Sequence, residues 1–127
     1  MAEGALLAQA LRHQSRGHDL YRGARLRSTI RAFDRAAQLA AAAGEKGRDV
    51  EDHSRFWMGA ALHGAGRLPE ALAAWAPAVN RVHENGMTSE RYMAMTRYLL
   101  VAIHIPLPLA AIEEAFDQVE ESLTASA

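Results

Sequence analysis

Three observations on the sequence predict an all-α fold built as an α-solenoid of three antiparallel helix pairs. Apolar residues recur with a period near 3.6 over six segments; glycine or proline stands between consecutive segments; and one spacing of small and aromatic residues returns after about 42 positions. No stretch alternates apolar and polar residues as a half-buried strand does.

The periodicity predicts helices over 4–22, 27–43, 48–64, 68–85, 88–105 and 108–124. The breaks fall at Gly23, at Gly44 and Gly47, at Gly64 and Gly66, at Gly86, and at Pro106 with Pro108. Ser28 is placed to cap the second helix, and Thr88 or Ser89 with Glu90 the fifth. Connections this short make consecutive helices antiparallel neighbours.

The last helix has the clearest two-sided pattern. Leu109, Ile112, Phe116, Val119 and Leu123 share one stripe, and Glu113, Glu114, Asp117, Glu120 and Glu121 fall off it, as in a terminal cap. The fifth, "YMAMTRYLLVAIHI", is apolar around much of its circumference, which predicts a helix sandwiched either inside the domain or at an oligomer interface. Pro77 lies well inside the fourth, where it lacks a donor and crowds the carbonyl of Ala73, predicting a kink or the start of a second short helix.

Gly59, Ala71, Trp75 and Ala78 are spaced by 12, 4 and 3 residues; Gly17, Thr29, Phe33 and Ala36 repeat those intervals, as do Leu100, Ile112, Phe116 and Val119. Small residues on both helices of a hairpin let the backbones approach, and the aromatic one turn on fills the wedge towards the next hairpin. A lone hairpin cannot bury its apolar face, so stacking supplies the core.

Here the residues resemble the tetratricopeptide-repeat family. Met58, Gly59, Leu62, Ala71, Trp75 and Ala78 match its pattern in the middle unit, and "GRLPEALAAW" is similar to its turn into the second helix. Thr29 replaces the small residue in the first unit, and the third unit has none at either site. The period exceeds the family's common length of about 34 residues and resembles the longer repeats of kinesin light chains and certain bacterial regulators.

The resemblance implies a concave groove lined by the first helix of each pair and holding an extended peptide or a partner's helix. Carried onto this chain, the groove takes Gln14, His18, Tyr21 and Arg22, then His53, Phe56, Ala60 and His63, then Arg97, Val101 and His104. Aromatic and donor-rich groups of this kind suit acidic side chains or a terminal carboxylate. The expected function is a non-catalytic protein- or peptide-binding scaffold or adaptor of bacterial type, with no cofactor and room for a homodimer.

Composition bounds the rest. A chain of 127 residues, half of them hydrophobic and 23% charged, suits one folded domain over 1–127. The absence of cysteine excludes disulfides, thiolate metal sites and cysteine nucleophiles. Glu3 sits where a signal peptide needs positive charge, and the most apolar region, Tyr98 to Ile112, is shorter than a membrane span; the expectation is a cytoplasmic protein that does not engage membranes. Histidines at His13, His18, His53 and His83 lack the spacing of helical metal motifs, and no nucleophile elbow or phosphate-binding glycine loop is present, so no catalytic or metal residues are assigned.

Charge is uneven despite a net value of −1. Residues 1–35 hold Arg12, Arg16, Arg22, Arg25, Arg27, Arg31 and Arg35 against three acids, whereas residues 100–127 hold five acids and neither Lys nor Arg. The alternative function is therefore a nucleic-acid-associated regulator docking through its Arg-rich first third, or a small helical enzyme of unrecognised type.

Overall fold

A computed structural model describes residues 2–80 and 89–102, with residues 113–114, 117–118 and 120–121 near the end of the chain. The described residues are helical apart from short turns and contain no strand. The elements are α1 (Ala2–Arg22), α2 (Leu26–Ala42), a 3-10 turn (Gly44–Gly47), α3 (Arg48–Gly64), α4 (Leu68–Asn80) and α5 (Ser89–Ala102). The expected extensions of the fourth and fifth segments to residues 85 and 105 lie outside the described residues, as does the apolar stripe expected of the sixth. Glu113, Glu114, Asp117, Glu120 and Glu121 of that last segment are helical and exposed, matching their place off the stripe.

Each helix packs on the next in the chain, and α3 also touches α1 and α5. Among the described residues, every extensive helix contact joins elements one or two apart in chain order. One core runs from Phe33 through Phe56, Leu62 and Trp75 to Val101, and a smaller cluster of Ala10, Leu39 and Ala40 seats α1 on α2. At the outer side of α5, Met93 and Leu100 are exposed rather than sandwiched, while Ala94, Val101 and Ala102 are buried.

The turns α1–α2 and α3–α4 share three backbone hydrogen bonds at an interval of 42 residues. In the first, the amides of Gly23, Ala24 and Arg25 donate to the carbonyls of Asp19, Tyr21 and Leu20; in the second, those of Ala65, Gly66 and Arg67 donate to Ala61, His63 and Leu62. Thr29 and Ala71 then donate to the carbonyls of Arg25 and Arg67. The bonds from the last two residues of each turn close the helix end over a left-handed residue, which satisfies carbonyls that otherwise lack partners.

That residue is Gly66 (φ 76°) in one turn and Ala24 (φ 56°) in the other. The helix ends before Gly23 as expected, while the left-handed conformation falls on the next residue, an alanine whose Cβ opposes it. Ala24→Gly is expected to raise the unfolding free energy by about 1 kcal/mol, offset in part by the greater freedom of glycine in the unfolded chain. Urea titration of the two proteins measures the difference directly.

Ser28 does not cap α2. The helix starts at Leu26 after Arg25, with no side-chain cap, and Ser28 lies within its first turn. The Thr29 hydroxyl instead donates to the carbonyl of Arg25 (2.8 Å) from a fully buried position.

The matched glycine and aromatic residues meet in both described units. A Cβ on Gly17 would stand 2.9 Å from the ring of Phe33, and one on Gly59 would stand 2.2 Å from Nε1 of Trp75. Both rings are fully buried, and the Trp75 indole N–H donates to the carbonyl of Phe56 (3.0 Å). Each ring lies on the glycine of its own hairpin and belongs to the core shared with the following helices. Burial of each contributes on the order of 2–3 kcal/mol. In the third unit Leu100 is 57% exposed, and Phe116 is outside the described residues.

Pro77 lies inside α4. It leaves the Ala73 carbonyl without an amide donor, and Ala73 is exposed, so water can supply one.

Candidate functional site

The first helices of the two described hairpins lie side by side, and side-chain contacts join them. On α1, Gln14, His18 and Tyr21 occupy one stripe at intervals of four and three residues. The Gln14 amide donates to the Ser54 hydroxyl (3.3 Å), the Nε2 atoms of His18 and His53 share a hydrogen bond (2.9 Å), and Tyr21 meets Trp57 edge to face with ring centroids 5.6 Å apart. A stripe the helical period alone predicts is therefore a seam between hairpins as well as a surface.

His18 is at the centre of this arrangement. Its ring is edge-on to Phe33 (5.0 Å), His53 (5.2 Å) and Trp57 (5.3 Å). Trp57 extends the cluster, packing at 5.4 Å against Phe56 and tilted at 6.4 Å from His53. Edge-to-face geometry directs the positive ring edge of one group at the negative face of the next, contributing about 0.5–1.5 kcal/mol per pair beyond burial.

The shared hydrogen bond requires one imidazole nitrogen to donate and the other to accept, so protonating both facing nitrogens breaks it. Burial holds the His18 pKa below 6.5, helped by the charges of His53 and Arg22 and opposed by Asp19. A base whose pKa is lower folded than unfolded binds fewer protons in the folded state between those two values, so stability rises with pH across that window. His18→Gln is expected to flatten this part of the profile, with wild type losing more stability than the variant when pH is lowered through 6.5. Chemical denaturation at matched pH values reads the difference between the two slopes; equal slopes would refute a role for His18.

The residues expected along the groove separate into groups. His18, Tyr21 and His53 come together. Phe56 is only 3% exposed and belongs to the core, because α5 packs over it and the Arg97 guanidinium carbon lies 6.0 Å above its ring. Ala60 and Val101 are buried too. Arg22 is exposed and paired with Asp19 on its own helix. His63 is exposed at the end of α3, edge-on to Trp75 at 6.2 Å and apart from the cluster. His104 lies outside the described residues.

Trp57 and Ser54 belong to the site and were not assigned from the sequence. A shift of one residue turns a helix position by about 100°, and the repeat register chose Phe56 for the outward place that half-buried Trp57 takes. The available signal was the interval of four from His53 to Trp57, which puts both on one face.

The seam thus offers two partly exposed aromatic rings, Tyr21 and Trp57, two imidazoles that donate or accept hydrogen bonds, and the cationic Arg97 beyond Phe56. Such a surface can stack an apolar group and hydrogen-bond an anionic one. Among the described residues, no group of three or more His, Asp or Glu is placed to hold a metal ion, and no helix is long and apolar enough to cross a membrane. No family model, curated protein or solved structure matches the chain.

Proposed function

We propose that this protein is a non-catalytic binding scaffold, a tetratricopeptide-like solenoid of three helix pairs whose α1, α3 and α5 present a face to an acidic peptide segment of a partner protein. Two features support the architecture: the turns that repeat at 42 residues, and the same ring-on-glycine contact in both hairpins. The third pair, completed by the expected sixth helix, belongs to the same proposal.

The observation that carries the functional reading is the half-buried cluster of Tyr21, Trp57, His18 and His53 where α1 and α3 meet. Tyr and Trp combine apolar contact area with a polar group and dominate binding energy at protein interfaces. Arg97 and the imidazoles supply donors for carboxylates.

Selection from a random peptide display library tests this. Peptides rich in Asp or Glu are expected, and Trp57→Ala or Arg97→Ala is expected to weaken them at least tenfold, about 1.4 kcal/mol. Circular dichroism controls for the fold, and Arg97, being exposed, can be removed with little structural consequence. Peptides whose affinity both variants leave unchanged would place binding elsewhere.

A further inference from the structure

A second, separate feature lies between α1 and α2. His13, Arg16 and Leu20 from α1 and Ser28, Arg31, Ala32 and Arg35 from α2 enclose a cleft of about 250 Å3. On α1 these positions lie on the order of 130° around the helix from the stripe of Gln14, His18 and Tyr21, so the cleft and the aromatic face are distinct surfaces.

The three arginines have no ion-pair or hydrogen-bond partner among the described residues. Asp19 pairs with Arg22 and Asp34 accepts from the Gln38 amide (3.0 Å), and neither carboxylate bonds any of the three. Arg31 and Arg35 are four apart on one face, a spacing at which like charges repel. Two helix faces thus place three arginines, without an ion-pair partner among the described residues, around one concavity.

We propose that this cleft binds the phosphate group of a small phosphate monoester, with Arg16, Arg31 and Arg35 as the charge-bearing donors and the Ser28 hydroxyl as a further one. A guanidinium presents paired N–H donors that match two oxygens at once. A phosphate monoester offers three terminal oxygens, enough for three such forks from different directions, where a carboxylate offers two. Leu20 and Ala32 form an apolar wall for the organic part. The volume is below that of a drug-sized pocket, at the scale of one small molecule.

Isothermal titration calorimetry of the whole protein with inorganic phosphate, glucose 6-phosphate and succinate tests the inference, alongside a single-stranded oligonucleotide. Saturable 1:1 binding of glucose 6-phosphate is expected, tighter than inorganic phosphate and much tighter than succinate. The R31Q/R35Q double variant is expected to lose at least tenfold in affinity, and R27Q, whose arginine lies outside the cleft, to bind as wild type does. Absence of glucose 6-phosphate binding at millimolar concentration overturns the proposal. So does succinate binding as tightly, an equal loss in R27Q, no loss in the double variant, or binding confined to the oligonucleotide. These outcomes leave the peptide face untouched, since none of its residues is altered.

Discussion

Gly59→Ala is expected to lower the unfolding free energy by about 2–3 kcal/mol, a fall in melting temperature on the order of 10 °C for a chain of this size. Two effects oppose each other at this position. Alanine is the better helix former by about 1 kcal/mol, but its methyl would stand 2.2 Å from Nε1 and 2.5 Å from Cε2 of Trp75. The indole has nowhere to retreat, being fully buried and held by its bond to the Phe56 carbonyl. Overpacking therefore wins.

Two companion variants separate the terms. Gly4→Ala, where nothing lies within 4 Å, reports propensity without a clash and is expected to be neutral or stabilising. Trp75→Leu shortens the opposing side chain and is destabilising alone, yet the Gly59→Ala/Trp75→Leu double variant is expected to lose less than the two single losses together, by about 1 kcal/mol or more. The corresponding contact predicts a smaller loss for Gly17→Ala, whose added methyl would stand 2.9 Å from the Phe33 ring.

Gly47→Ala is expected to destabilise by about 3 kcal/mol or more, through backbone rather than side chain. A Cβ there would lie 2.0 Å from the Ala40 carbonyl oxygen and 2.8 Å from its carbon, so the end of α2 and the start of α3 could not keep their present approach. The conformation of Gly47 itself is ordinary (φ −92°), which leaves the close approach as the reason for glycine. Gly44 presents the reverse case, with φ 77° and open space around its Cβ position. Gly44→Ala is expected to lose only about 1 kcal/mol from the left-handed conformation. Urea unfolding of both variants checks the order.

The helical class, the first three helix positions and the start of the fourth could be read from the sequence because period and breakers agree there. The interval of 42 residues could be read for a related reason: Gly17 with Phe33 and Gly59 with Trp75 are contacts in which a missing side chain makes room for a large one, a pairing few other residues satisfy. Features decided between distant elements could not. Whether Phe56 or Trp57 faces outward depends on where α5 covers α3, and the left-handed turn residue is Ala24, although a glycine stands beside it. The basic cleft was visible only as a count of arginines, since the sequence does not show that Arg16, Arg31 and Arg35 line one cleft while Arg12, Arg25 and Arg27 do not.

A proton nuclear Overhauser spectrum of the folded protein tests the repeat architecture most directly, because the proposed groove face depends on its register. Strong cross-peaks are expected between the Trp75 indole N–H and the Gly59 α-protons, and between the Phe33 ring and the Gly17 α-protons. If the Trp75 and Phe33 rings show their strong cross-peaks to other residues and none to these glycines, the two hairpins are not equivalent units and the 42-residue repeat is contradicted.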